Sequence, residues 1–127
     1  MCIPARSLFA TACDVHGLVA EFAAAERDAG KVLRGEVVRE CFNASNRLPG
    51  GTWLLGWDTP SAGGSTAGTK ISCNAVGHLG FTGTSVWIDR DRGVHVVLLT
   101  NRVHRDTPRE RMNELRARFH DAVFGEV

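Results

Sequence analysis

The sequence has no tyrosine, only two lysines and no long apolar segment. No stretch comes near the roughly 20 apolar residues that a helix needs to span a bilayer. Residues 1–7 hold one arginine and no apolar core of the kind that a signal peptide requires. The formal net charge of +1 predicts no strong electrostatic field. These absences argue against a membrane, against export and against a nucleic-acid partner, and they predict a cytoplasmic location by default.

Cysteine spacing argues against a metal centre. The four cysteines are Cys2, Cys13, Cys41 and Cys73, and no two of them form a Cys-x-x-Cys pair. His78 has no second ligand at metal-ligand spacing either. The sequence therefore predicts no metal and no other cofactor. Without a signal for export, the cysteines are expected to be free and mostly buried thiols.

The residues that are present indicate one ordinary globular domain. The chain has 127 residues, of which 43% are hydrophobic and 23% charged, enough for a single modest core. Helical patterns come first, a strand hairpin follows, and another helical pattern ends the chain. This order predicts a single α+β domain over residues 1–127, in which helices cover an antiparallel sheet.

Two helices and a short strand are predicted in the first half. Apolar residues recur at helical spacing over Thr11–Arg27, where Thr11 is a candidate N-cap with Asp14 three residues on. A second, shorter helix is predicted over Glu36–Phe42. Trp53–Trp57 is predicted to be a short buried strand. The apolar positions expected to face inward from the first helix are Val15, Leu18, Val19 and Phe22.

A hairpin and a final helix are predicted in the second half. Alternating residues over Thr84–Asp89, a short turn and a nearly continuous apolar run over Val94–Thr100 indicate paired strands. The helix over residues 108–123 is predicted from Thr107 as N-cap and Glu110 as its capping-box partner. Its expected apolar stripe is Met112, Leu115, Phe119 and Val123, and the arginines expected in solvent are Arg109, Arg111, Arg116 and Arg118.

The usual sequence signatures of nucleophilic catalysis are absent from these 127 residues. A serine three positions before a lysine can lose its proton to that lysine. The two lysines, Lys31 and Lys70, are instead preceded at that distance by Asp28 and Ala67. No Gly-x-Ser-x-Gly elbow presents a serine either.

The Gly/Ser/Thr-rich segment Thr59–Lys70 resembles a phosphate-binding loop only superficially. In GGSTAGTK, Thr69 separates the last glycine from the lysine, and Ile71 stands where Ser or Thr should follow. No helical pattern comes next, although such a loop needs one. The sequence therefore favours a solvated loop.

His78 stands out among the five histidines because glycines flank it closely. A lone histidine in such a setting is more often structural than functional, since no second ligand is near. His95 lies in the middle of a predicted strand, as a satisfied core histidine would. The remaining histidines, on or near predicted helix surfaces and without an assigned role, are His16, His104 and His120.

The segment Gly77–Gly83, GHLGFTG, gives His78 a further meaning. It resembles the Lys-Thr-Gly, His-Thr-Gly or His-Ser-Gly segment on the active-site strand of serine β-lactamases and penicillin-binding-protein-like hydrolases. The hairpin that follows, ending in Thr100-Asn101, resembles the class C and esterase-type members. Residues 7–14 resemble the start of a helix in that family, and Trp53–Ser61 resembles the strand and loop before the triplet. The similarity covers nearly all of this chain but only about the C-terminal third of a complete member.

This resemblance implies a partial β-lactamase/transpeptidase-like fold and specific roles. His78 would orient a substrate carboxylate or the catalytic serine. The backbone N–H of Phe81 would be one donor of the oxyanion hole, whose other donor is the serine's own N–H. His78, Leu79 and Gly80 would bind substrate, although Leu79 replaces the family's hydroxyl-bearing residue.

Two functions follow as expectations. The first is a serine hydrolase fragment that lacks the family's Ser-x-x-Lys pair and tyrosine and is inactive alone. It would act on a small-molecule ester or β-lactam-like substrate, or on a peptidoglycan-like peptide, only when the missing N-terminal part completes it. The second is a non-catalytic module that binds a partner through the same sheet and C-terminal helix. For the fragment, apolar surface left exposed by the missing part predicts self-association, whereas a compact, stable monomer would favour the binding module.

Overall fold

A three-stranded antiparallel sheet lies at the centre of the computed structural model, which describes residues 9–127. Its strands are β1 (Val76–Leu79), β2 (Ser85–Asp89) and β3 (Val94–Leu98), in that spatial order. The register pairs His78 with Val86 and Trp87 with Val96. The predicted hairpin is therefore confirmed.

Two helices cover one face of the sheet, here called the α1 face. These are α1 (Ala12–Glu26) and α2 (Gly35–Cys41). The predicted capping box of α1 is confirmed, because the Thr11 hydroxyl accepts from the Asp14 N–H and the Asp14 carboxylate accepts from the Thr11 N–H. The buried core on this face consists of Val19, Ala23, Ala25, Val38, Phe42, Leu54, Val76 and Ile88.

One helix, α3 (Arg109–Phe124), covers the opposite face, here called the α3 face. The buried apolar core there is smaller and consists of Ala67, Trp87, Val96 and Phe124. Since neighbouring residues of a strand point to opposite faces, Val86 and Ile88 of β2 belong to the α1 face and Ser85 and Trp87 to the α3 face. Helices on both sides make three layers, and the α+β prediction is confirmed.

The orientation of α3 differs from the sequence prediction. Residues four apart, Met112, Arg116, His120 and Phe124, face the sheet, whereas Leu115 is 51% exposed. The prediction that Leu115 is core and Arg116 is in solvent was wrong. The sheet offers α3 backbone carbonyls and a serine hydroxyl at this place, and polar side chains are needed to bond them.

The start of α3 also differs. Pro108 is the N-cap and is extended (φ −54°, ψ 146°), so the helix begins at Arg109 and Thr107 lies outside it. No side-chain hydrogen bond caps the helix, and the capping box predicted between Thr107 and Glu110 was wrong. The Thr107 carbonyl instead accepts a hydrogen bond from Arg102 at 3.1 Å.

Trp53–Trp57 is a turn and not the predicted strand. The Leu54 N–H donates to the Trp57 carbonyl at 2.6 Å, and Gly56 adopts φ +78°, which L side chains rarely tolerate. Leu54 is buried, whereas Trp53 is 47% exposed. The backbone pairs with the sheet one residue later, through a bridge between Asp58 and Gly77.

Two further expectations need correction. Cys13, Cys41 and Cys73 are free thiols, but Cys13 and Cys73 are exposed, so the cysteines are not mostly buried. Leu18, expected in the core, is half exposed. Cys2 and residues 1–7, considered above for export, lie outside the described residues. Within residues 9–127, every helix is too short or too polar to cross a bilayer.

Candidate functional site

An open groove of about 620 Å³ lies on the α1 face, at the end of the sheet where β1 leads into β2. Sheet residues of that face form its floor, and the connection Gly80–Thr84, here called the β1–β2 turn, forms one rim. The groove brings together three of the residues predicted for a site, His78, Gly80 and Phe81. The groove is also lined by Val86, Val97, Leu99 and Asn101.

His78 is exposed on β1 and shares the α1 face with its partner Val86. Its imidazole meets the indole of Trp53 edge to face, with ring centroids 5.3 Å apart. Trp53 thus limits the movement of His78 from a distant part of the chain. No sequence pattern associates the two residues, because their contact depends on the turn at Trp53–Trp57, which was predicted to be a strand.

Leu79 does not line the groove. Its side chain packs against the core of the α3 face, as strand alternation next to His78 requires. A substrate contact by this side chain, expected from the family resemblance, does not fit the structure.

The β1–β2 turn is closed by its own backbone. The Gly80 N–H donates to the Thr84 carbonyl at 2.8 Å, and the Gly83 N–H donates to the Gly80 carbonyl at 3.1 Å. Gly83 has φ +101°, which explains why glycine stands there. The Phe81 side chain at the tip is 57% exposed, and its N–H makes no hydrogen bond to any of residues 9–127.

Arg116 of α3 holds this turn from the opposite face of the sheet. Its Nη2 donates to the carbonyls of Gly80 (2.7 Å) and Thr84 (2.8 Å), and its Nε donates to the Gly83 carbonyl at 3.1 Å. The residue is only 4% exposed. Burial, with the charges of Arg102 and Arg109 adding to it, lowers the pKa of Arg116 from its usual value. An arginine nevertheless keeps its charge at neutral pH.

Arg102 holds the same turn from its other side. Its Nε donates to the Phe81 carbonyl at 2.7 Å, and its backbone N–H donates to the Thr82 carbonyl at 2.8 Å. The guanidinium also lies over the Phe81 ring, 4.6 Å from the centroid. Among the described residues, neither Arg102 nor Arg116 forms an ion pair with a carboxylate.

A serine–histidine pair is present but enclosed. The Ser85 hydroxyl and His120 Nε2 are 2.9 Å apart, and both residues are buried between β2 and α3. Burial, followed by the charge of Arg116, lowers the pKa of His120 to about 4, so the imidazole is neutral at pH 7. His120 Nδ1 has no hydrogen-bond partner among residues 9–127. Although Ser85 is among the residues that line the groove, its hydroxyl is bonded to His120, and no described residue orients the imidazole through Nδ1. The pair therefore ties α3 to the sheet.

The remaining candidates are structural as well. The Thr69 and Lys70 N–H groups donate to the Asp121 carboxylate at 2.5 and 2.9 Å, so amides that would hold a phosphate in a phosphate-binding loop are occupied. His95 bonds to His16 of α1 at 2.8 Å. No group of three or more metal-ligating side chains occurs in the part of the chain that the structure describes.

The sequence and the fold both indicate one family of proteins. The model of the β-lactamase family matches residues 4–121, which is most of the 127-residue sequence. The chain therefore belongs to the β-lactamase family, and the expected family is confirmed. No curated protein matches the sequence.

A solved structure is similar in fold. It is the crystal structure of a β-lactamase from Mycobacterium bovis, which superposes with a TM-score of 0.70 over 92% of this chain. The sequences are 19% identical, so the likeness concerns the fold alone. The chain spans 44% of the length of that β-lactamase.

Proposed function

We propose that this chain forms the sheet side of a serine hydrolase active site of the class C β-lactamase or esterase type. The single observation that carries the proposal is the groove, where exposed His78 and the unbonded N–H of Phe81 lie on one rim. In this proposal, Phe81 N–H donates to the oxyanion of an attacked amide or ester carbonyl. His78 orients the substrate's carboxylate or the attacking serine.

The nucleophile and its base belong, in this proposal, to a segment outside these 127 residues. Neither lysine of the chain has a serine three residues before it, and there is no tyrosine. Ser85, on the α3 face, is held by His120 and is 4% exposed. The chain alone is therefore inactive, and substrates such as a β-lactam, a short ester or a peptidoglycan-like peptide react only in the completed site.

The DNA immediately upstream of Met1 provides the test. We expect it to encode Ser-x-x-Lys and Tyr-x-Asn in some reading frame. A protein that joins that segment to this chain should hydrolyse nitrocefin or a p-nitrophenyl ester. His78→Ala should abolish the activity, whereas His104→Ala, at an exposed position that does not line the groove, should leave it unchanged. Activity that is indifferent to His78 would refute the proposed site.

A second function is supported by the apolar surface of the same groove. Phe81 and Leu99 are large, exposed and on its rim, as in a surface that receives another protein. In this alternative, the chain is a non-catalytic binding module that uses the sheet and α3, and the groove is the sheet's part of that binding surface. Absence of both motifs from the upstream DNA would favour it over the hydrolase fragment.

A further inference from the structure

Every carbonyl of the β1–β2 turn is occupied. Arg116 donates to the carbonyls of Gly80, Gly83 and Thr84, while Arg102 donates to those of Phe81 and Thr82. One turn thus takes five hydrogen bonds from two arginines that lack a carboxylate partner among the described residues. Four of these bonds come from the guanidinium groups and the fifth from the Arg102 backbone N–H. Bonds from a cation to a carbonyl are stronger than those between neutral groups. The turn is therefore held in one conformation from the side opposite the groove.

The geometry of the peptide unit determines the direction in which the Phe81 N–H points. In a trans peptide unit, the carbonyl of one residue and the N–H of the next point in opposite directions. The structure contains no cis peptide bond among the described residues. The Gly80 carbonyl points to Arg116 on the α3 face, so the Phe81 N–H points away from α3. The groove lies on that other side.

We propose that Arg116 is a positioning residue, which directs the Phe81 N–H into the groove by holding the Gly80 carbonyl. The role that this gives Arg116 in hydrolysis rests on the proposed function. The guanidinium also polarises the Gly80–Phe81 peptide unit, because a cation at the carbonyl oxygen draws electron density from the N–H. Phe81 N–H is then both aimed and strengthened as a donor. Arg102 supports the next peptide unit through the Phe81 carbonyl.

Hydrogen exchange of the unmodified, ¹⁵N-labelled chain tests the direction without substrate. The amides of Gly80 and Gly83 are hydrogen-bonded within the turn and should exchange at least about tenfold more slowly than that of Phe81. Protection of the Phe81 amide equal to that of Gly80 would overturn the proposal, since a proton already bonded inside the protein cannot serve the groove.

Residual dipolar couplings test the role of Arg116 itself. Arg116→Met keeps the length of the side chain but removes every donor, and the coupling of the Phe81 N–H should change while those of Trp87 and Val96 remain. Arg116→Lys can still donate to the Gly80 carbonyl and should restore the Phe81 coupling. The matched control is Arg118→Met, at an exposed position on the same helix, which should alter none of the three.

An unchanged Phe81 coupling in folded Arg116→Met would sink the proposal. If that variant does not fold, the proposal is decided by the exchange pattern of the unmodified chain and by the Phe81 N–H coupling in Arg116→Lys. Both readouts are independent of catalysis. A joined protein that is inactive while the couplings behave as stated refutes only the hydrolase function. An active, His78-dependent protein with an unmoved Phe81 coupling refutes only the positioning role.

Discussion

The two faces of the sheet differ in the kind of side chain that they bury. The α1 face is packed with apolar side chains at one end and open as a groove at the other. The α3 face has a smaller apolar core but buries Ser85, Asp89, Arg116 and His120. Buried polar groups require partners in definite positions, whereas apolar groups require only close packing. The polar face therefore fixes the conformation of the β1–β2 turn, and the open end of the apolar face leaves room for the substrate or partner proposed above.

The largest effects are expected from the apolar cores. Phe42→Ala on the α1 face and Phe124→Ala on the α3 face should each lower the free energy of unfolding by about 3–5 kcal/mol, since both rings are fully enclosed. Urea denaturation measures the change. Phe9→Ala, at an exposed position, is the control and should change little. If Phe124→Ala leaves the free energy of unfolding nearly unchanged, α3 does not exclude water from its face of the sheet.

The orientation of α3 can be tested by two neighbouring substitutions. Met112 is buried, so Met112→Ala should cost about 2–5 kcal/mol. Leu115 is half exposed, so Leu115→Ala should cost under about 0.5 kcal/mol in the same denaturation experiment. The sequence-predicted stripe assigns the larger cost to Leu115. Reversed costs would restore that stripe and contradict the buried position of Arg116.

The polar face should make stability depend on pH. His120 has an ordinary pKa of 6.5 when unfolded and about 4 when folded, mainly through burial. Between these two pKa values the unfolded chain binds more protons than the folded chain. The stability that the fold gains from keeping His120 neutral is therefore fully present above pH 6.5 and is lost as the pH falls toward 4. The full loss is about 3 kcal/mol.

His120→Gln isolates this effect from the other titrating groups. In urea denaturation between pH 7 and 4, the variant should lose less stability than the unmodified chain. His104→Gln, at an exposed position, should lose as much as the unmodified chain. If the free energy of unfolding falls equally with pH in all three proteins, His120 is not held neutral in the fold.

The smallest effect concerns the open end of the α1 face. The outer edge of β3 has no partner strand among the described residues, and the groove exposes Leu99. Unpaired edges beside apolar surface promote association. We expect the chain to self-associate at micromolar concentration in sedimentation equilibrium. Leu99→Asp should weaken this association by about 1 kcal/mol. Leu48→Asp, exposed but outside the groove, should not.

Short-range sequence patterns predicted the elements whose structure is set by residues close together in the sequence. Alternation and a continuous apolar run predicted β2 and β3, since a strand's two faces follow from its period of two. Thr11 and Asp14 predicted the start of α1, because both halves of the capping box are within one turn. His78, Gly80 and Phe81 could be proposed for the site only through the family resemblance.

The rest depends on tertiary contacts. Arg116 and His120 face inward because the β1–β2 turn and Ser85 need donors or acceptors there, and nothing local to α3 reveals that need. A weak signal was present, since Met112, Arg116, His120 and Phe124 recur every four residues. Because Leu115 is apolar and Arg116 is charged, hydrophobicity favoured Leu115 as the buried residue and outweighed this spacing. The contact of Trp53 with His78 likewise needs the bridge between Asp58 and Gly77.

Hydrolysis by the purified chain alone tests the central claim, that this half of the site lacks its nucleophile, most directly. Nitrocefin and a short-chain p-nitrophenyl ester should be hydrolysed no faster than in buffer, because the only described serine paired with a histidine is enclosed on the α3 face. A rate above buffer that disappears in Ser85→Ala or Ser65→Ala would contradict the claim, by revealing a nucleophile within these 127 residues.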